Sequence, residues 1–327
     1  MVQILPRVRH RWCQMTCVSV VLLAVQSTGA FAQPFKTASY AYRDGGAPDK
    51  AVVSDALAIQ VALTRAGFSV GAIDGKSGPK TQKAIKAAGD AITTDADVLQ
   101  AYVITAEDLA IGFNPAIPAD MMAQGELETL PYANPLEMIA ERFRAAVSLI
   151  ERLNPDATFA VGDTLRVPNV EPMSVPALSH MREVAEPGAD RTAGVRVSRS
   201  GRDLTVVDKD GAVIFYAPVS SGSDNDPLPL GEWKVLNVFL RPLFNYNPDL
   251  FWDADPKHAK AQLPGGPNSP VGLVWIDLDK EHYGLHGTPT PETIGVTQSH
   301  GCVRLTNWDA LHLATLVKPG TPIIFLP

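Results

Sequence analysis

Between residues 54 and 89, Ala56, Leu57, Ile59, Gln60 and Leu63 mark one face at helical spacing, and the pattern stops at Gly67-Phe68. The turn-rich stretch GAIDGKSGP follows, and Thr81 opens a second helix through Ile85. From Pro131 to Val170 the spacing predicts helices over Glu137–Arg144 and Val147–Leu153, a break at Asn154-Pro155 and a strand over Thr164–Pro168. Ala140, Phe143, Leu149, Ile150 and Leu153 are core positions by that spacing. Pro115, Pro118 and Gly125 mark a linker between the two segments, and Pro172, Pro176 and Pro187 mark another after them.

From about Gly194 the chain reads as strands. Val195-Arg196-Val197 and Leu204–Val207 alternate, and Lys209-Asp210-Gly211 turns into Ala212–Pro218, which predicts a hairpin. Trp233–Phe239, Val274–Leu278 and Pro322–Leu326 are further strands. One helix interrupts them: Thr306 caps it, Asp309 stands three residues on, and Lys318-Pro319-Gly320 stops it after Leu316.

The N-terminus changes the chemistry expected downstream. Arg7, Arg9 and Arg11 precede an apolar run from Val18 to Val25, and Ala30-Phe31-Ala32 has the small-x-small form of a cleavage site. The run is shorter than the roughly 20 residues a spanning helix needs. We therefore read residues 1–32 as a cleaved secretory leader, with no membrane span in the mature chain. Removing the three leader arginines from 28 basic residues leaves 25 against 35 acidic ones, a net charge of −10 that argues against nucleic acid as a partner. The leader also removes Cys13 and Cys17, so Cys302 remains alone, unable to form an internal disulfide and either inert or reactive.

Its neighbours favour reactivity. Cys302 lies in SHGCVRL, residues 299–305, where a glycine permits a sharp turn that would let the amides of Gly301, Cys302 and Val303 face a developing oxyanion. An imidazole beside the thiol is expected to take its proton and stabilise the ion pair, holding the thiol below its reference pKa of about 8.5. His282, His286, His300 and Cys302 are residue types that could form a zinc set. There is no close cysteine pair, and no metal or cofactor is expected.

His286-Gly287-Thr288, twelve residues after His286, and then Ser299-His300-Gly301-Cys302-Val303-Arg304-Leu305 together resemble the signature of the L,D-transpeptidase catalytic domain. Pro229-Leu230-Gly231-Glu232-Trp233, the loop Pro264–Pro270 and Tyr283-Gly284-Leu285 fit the same family. The resemblance implies Cys302 as nucleophile and His286 as its general base, oriented by the Gly287 carbonyl. It places His300, with the Gly301 and Cys302 amides, beside the oxyanion or substrate. Arg304 would hold a substrate carboxylate or the motif loop, Ser299 would fix the loop, and Tyr283 would stand on the oxyanion or acceptor side.

Two further resemblances precede it. Asp74, Gly75, Gly78 and Thr81 follow the D-G-x-x-G-x-x-T core of the small helical peptidoglycan-binding domain, although Ala88-Gly89 replaces the aromatic-Gln pair that usually closes its last helix. The run MIAERFRAAVSLIERLNPDATFAVGDTLRVP looks like a LysM module, a family that binds N-acetylglucosamine-containing glycans. The expected organisation is a multidomain α+β chain. It comprises the leader (1–32), a peptidoglycan-binding-like helical domain (50–92), a LysM-like module (130–170), a proline-rich linker (171–190) and a mainly-β catalytic domain (191–327), a β-sandwich or mixed barrel. The implied activity is periplasmic. Cys302 would form a thioester with a peptidoglycan stem tetrapeptide, release D-alanine and pass the acyl group to an amine of a second stem or of an outer-membrane protein. A hydrolase on the same scaffold and a non-catalytic wall-binding protein remain alternatives.

Overall fold

The computed structural model describes residues 54–89, 92, 94, 97–175, 183–184 and 192–327. The leader and most of the stretch 171–190 lie outside the described residues. Among the described residues no helix is long and apolar enough to cross a membrane.

Helix α1 (Asp55–Arg65) starts where the Ser54 hydroxyl accepts the Leu57 N–H. Helix α2 (Pro79–Ala88) starts on a proline, whose missing N–H costs nothing in a first turn. Gln60 is buried between them. Its amide nitrogen donates to Asp74 Oδ1 (2.9 Å), the Lys76 carbonyl (3.0 Å) and Thr81 Oγ1 (3.2 Å), and its Oε1 accepts from the Asp74 and Gly75 amides. The Asp-Gly turn is thus fixed from inside, with Gly75 at φ +73°, where a side chain would be strained.

Strand β1 (Leu99–Val103), helices α3 (Ala106–Leu109), α4 (Met121–Gly125), α5 (Pro135–Arg142) and α6 (Val147–Leu153), and strand β2 (Thr164–Pro168) follow. β1 and β2 pair antiparallel from Leu99↔Pro168 to Val103↔Thr164. The strand that completes the helix pair therefore lies before the expected start of the module, and the stretch read as a linker holds α3 and α4. Four- and five-residue helices give too few turns for a readable apolar period. Leu57, Val61 and Leu63 share one core with Met138, Phe143, Ile150 and Leu165, so the two N-terminal segments are packed as one body.

The remaining elements are strands β3 (Glu183–Val184), β4 (Thr192–Ser198), β5 (Asp203–Asp208), β6 (Val213–Pro218), β7 (Ser220–Ser221), β8 (Gly231–Leu240), β9 (Phe244–Tyr246), β10 (Ala261–Leu263), β11 (Val274–Leu278), β12 (Gly284–His286) and β13 (Val303–Arg304), helix α7 (Asn307–Leu316), and strand β14 (Pro322–Leu326). The main sheet runs β6-β5-β4-β14-β8-β11-β12-β13-β7, with β3 added beside β8. β4–β14 and β12–β13 are parallel, and the other pairs are antiparallel. Only Val219 separates β6 from β7, so the two ends of the sheet are joined through the chain and the sheet is nearly closed. This is the expected mainly-β architecture. The β5–β6 hairpin forms as expected, with Gly211 at φ +84° and Asp208 Oδ1 accepting two turn amides.

Helix α7 is apolar nearly all round and buried nearly all round. Trp308, Ala310, Leu313 and Leu316 join the sheet's core with Val195, Phe215, Ile276 and Val303. Asn307 and Asp309 meet the N-terminal body: Asn307 Nδ2 donates to Glu141 Oε1 at 2.8 Å, and Ser69 Oγ donates to Asp309 Oδ2 at 2.8 Å. Two backbone bonds, Ser69 N–H to the Tyr216 carbonyl and Tyr216 N–H to the Gly67 carbonyl, extend that body onto β6. The β9–β10 ribbon, which follows β8 and precedes β11 in the chain, forms a separate two-stranded flap. It packs on Met121, Leu127 and Leu130 and is bonded through His258 Nε2 to Asp120 Oδ2 (2.9 Å).

Burial pushes the Glu141 carboxyl up to about 8 and that of Asp309 up to about 6. Both folded values lie above the unfolded ones, so folding binds protons at these sites. The stability they contribute is full only below their ordinary values of 3.8 and 4.5 and is lost as pH rises through about 6 and then about 8. The melting temperature is expected to fall by several degrees between pH 5 and pH 8.5. The fall should be shallower in Glu141→Gln, whose amide cannot ionise; an unchanged slope in calorimetry would contradict this.

Candidate active site

β12 and β13 run side by side in parallel, with Leu285 opposite Val303 and His286 opposite Arg304. Alternate residues of a strand share a face, so Cys302, two residues before Arg304, lies on the face that carries His286. Thiol and imidazole are diagonal neighbours on adjacent strands, and both line a groove of about 900 Å³. Gly284 precedes His286 by two positions on that same face. A side chain there would meet the Trp275 ring at 2.6 Å.

His286 is buried and held on two sides. Its Nδ1–H donates to the Gly287 carbonyl at 2.7 Å, which leaves Nε2 as the lone-pair nitrogen. Its ring stacks on Trp275, its partner across β11–β12, with centroids 5.5 Å apart and planes 20° apart. Burial and, secondarily, the Arg304 charge lower its pKa to about 3.

Cys302 is partly buried, with Sγ 3.7 Å from the His282 carbonyl. Burial raises its thiol to about 11, against smaller lowering effects of the Gly284 backbone and Arg304. This differs from the expected resting ion pair. Desolvation disfavours the charged form of each partner, so the pair rests as thiol and neutral imidazole.

The motif loop is locked by Ser299, whose hydroxyl donates to the Cys302 carbonyl and accepts from the Gly222 amide (2.7 Å). Gly301 has φ +96°, a region that favours glycine, and a Cβ there would meet the Tyr283 ring at 2.7 Å. Tyr283 therefore packs against the turn that presents the thiol, and burial and the neighbouring Cys302 raise its pKa. Arg304 Nη1 donates to the Gln298 carbonyl at 3.4 Å.

His300 points to the flap. Its Nε2 is 2.7 Å from Asp253 Oδ1, and its ring lies between Phe251 (4.9 Å) and the exposed Trp252 (5.8 Å). The three histidines near Cys302 have separate partners: His286 has Gly287, His300 has Asp253, and His282 has Glu281 at 3.4 Å. Sequence reasoning missed Trp275, Asp253 and Asn307. Trp275 sits in an unremarkable strand pattern, Asp253 in a loop, and Asn307 under a cap. Only their positions in space give them a role.

The family model for the YkuD L,D-transpeptidase catalytic domain matches residues 192–325. YkuD of Bacillus licheniformis is 29% identical over 196 residues, 59% of this chain and 93% of that protein. YbiS of Escherichia coli is 26% identical over 222 residues, 64% of this chain and 67% of that protein. Among solved structures, an L,D-transpeptidase from Mycobacterium smegmatis is similar over 42% of this chain and 59% of its own length, at 21% identity and a TM-score of 0.34. L,D-transpeptidase 3 of Mycobacterium tuberculosis is similar over 51% and 76%, at 18% identity and a TM-score of 0.35. Residues 192–325 thus match the L,D-transpeptidase catalytic domain, and the signature His286-x12-Ser299-His300-Gly301-Cys302 lies inside the matched span.

Proposed function

We propose that the protein is a periplasmic L,D-transpeptidase that acts on peptidoglycan stem tetrapeptides through a Cys302 thioester. The observation that carries this reading is the placement of Cys302 diagonally from a buried His286 whose Nδ1 is tied to the Gly287 carbonyl, both facing one groove. That bond leaves Nε2 as the nitrogen able to take the thiol proton.

A neutral resting pair sets the order of events. As Sγ attacks the carbonyl of the third stem residue, its proton passes to His286 Nε2. The resulting imidazolium gives that proton to the amine of the leaving D-alanine as the C–N bond breaks and the thioester remains. An incoming amine, from a second stem or from an outer-membrane protein, then attacks the thioester. His286 takes the proton from that amine and returns it to Sγ as the C–S bond breaks. The Gly301 and Cys302 amides serve the oxyanion. Ser299 and Tyr283 hold the turn that aims them, and Arg304 favours the transient thiolate. His300, bound to Asp253, ties the motif loop to the flap and lines the substrate side.

The leader directs the chain to the periplasm. The N-terminal body, with its peptidoglycan-binding-like and LysM-like stretches, supplies contact with glycan strands. No cofactor takes part.

Purified protein incubated with disaccharide-tetrapeptide should release D-alanine, and Cys302→Ala should release none while still binding cell-wall sacculi. D-alanine release by Cys302→Ala near the wild-type rate would sink the assignment. Release without any transfer product would favour hydrolysis.

A carbapenem should add its mass to the intact protein, and not to Cys302→Ala. His286→Ala should slow that acylation by about 10²- to 10⁴-fold, the usual cost of losing a general base. With the thiol raised to about 11, alkylation of wild-type Cys302 by iodoacetamide should keep climbing from pH 7 to pH 10. A plateau already reached at pH 7 would show a preformed thiolate and overturn the neutral-pair mechanism.

A further inference from the structure

Glu141 stands on α5, in the N-terminal body, yet its carboxyl lies against the catalytic domain. Oε1 accepts from Asn307 Nδ2 at 2.8 Å and from the Tyr132 hydroxyl at 3.2 Å. Asn307 Nδ2 also donates to the Pro267 carbonyl at 3.1 Å, and with two acceptors on its nitrogen the amide has one orientation. Its Oδ1 then accepts the Leu273 N–H at 3.0 Å and lies against two glycines. A Cβ on Gly287 would meet Oδ1 at 2.1 Å, and one on Gly272 would meet it at 2.0 Å. No side chain fits at either position while Asn307 is in place. The Gly287 carbonyl is the acceptor that orients His286.

We propose that Glu141 is a positioning residue for the catalytic histidine, acting through Asn307 and the Gly287 peptide, so that the N-terminal body is a working part of the active site. The path is one chain of contacts: the Glu141 carboxyl orients the Asn307 amide, the amide oxygen seats the Gly272–Leu273 and Gly287 backbones, and the Gly287 carbonyl sets the His286 tautomer and ring plane. Each group on it is buried, so water does not readily replace a lost partner. Burial keeps Glu141 largely protonated at neutral pH, and the link therefore does not depend on its charge. Glutamine keeps the acceptor oxygen and the shape, whereas leucine keeps the volume and removes the acceptor.

The proposal rests on the assignment of His286 as the base, and the test separates the two. Full-length wild type, Glu141→Gln and Glu141→Leu are compared in two assays: carbapenem acylation of Cys302, resolved into a maximal rate and an apparent affinity, and ¹⁵N NMR of the His286 ring. Wild type and Glu141→Gln should agree within about twofold and show a protonated Nδ1. Glu141→Leu should lose about tenfold or more in maximal rate with little change in affinity, as expected for a misplaced catalytic group, and its Nδ1 signal should broaden or shift to the other tautomer. Asn307→Asp breaks the same link from the other side, because a carboxylate cannot donate to Pro267 and Glu141, and it keeps the test decisive if Glu141→Leu does not fold. A folded Glu141→Leu with wild-type rate and wild-type tautomer would overturn the positioning role while leaving the transpeptidase reading intact. A wild-type protein whose acylation is indifferent to His286→Ala would overturn the assignment of the base instead.

Discussion

Helix α7 cannot be half exposed. Its residues are apolar nearly all round, and a helix of that kind is stable only when it is covered nearly all round. The nearly closed sheet covers one side and takes Trp308, Leu313 and Leu316 into its core. The other side, at the first turn, carries Asn307 and Asp309, two polar residues that would be costly to bury without partners. The N-terminal body supplies those partners from Glu141 and Ser69. It also buries its own apolar face, which reaches Tyr216 on β6. The covering of α7 thus unites two bodies that the sequence presents as separate modules.

The same covering reaches the chemistry, because α7 starts three residues after the strand that presents Cys302, and β13 lies beside the strand that ends in His286. Leu305 N–H donates to the His286 carbonyl at 2.8 Å, and Asn307 lies against Gly287. Whatever fixes the start of α7 therefore fixes both Cys302 and His286, the pair proposed as nucleophile and base. This is a reason for the glycines of the region: Gly284 against the Trp275 ring, Gly287 and Gly272 on Asn307, and Gly301 on Tyr283 each mark a point where a backbone meets a side chain too closely for a Cβ.

What could be read from the sequence divides along the range of the interactions. Cys302, His300, Gly301 and Ser299 are adjacent in the chain, and His286 is close upstream, so their pattern survives as a local motif. The β5–β6 hairpin and the cap at Thr306 were legible for the same reason: turn and cap chemistry acts over three or four residues. The pairing of β1 with β2 and the role of Asn307 depend on contacts across tens to hundreds of residues and leave no local trace. The protonation of the pair was also beyond the sequence. A histidine beside a cysteine suggests an ion pair, but burial acts on both charges and reverses the expectation.

That reversal bears on why the site is built so rigidly. An ion pair organises itself, since each charge attracts the other into position. A neutral thiol and a neutral imidazole attract each other far less, so their alignment must come from the surroundings. Here it comes from a carbonyl on Nδ1, an indole stacked on the imidazole face, a serine tying the motif loop, and a helix start bonded to a second body. On the proposed mechanism, the fixed dipoles that line the groove act where charge develops during attack, and they need little reorganisation at that moment. The energy of keeping the site desolvated is borne by the fold as a whole, and an N-terminal body packed on α7 adds to the structure that bears it.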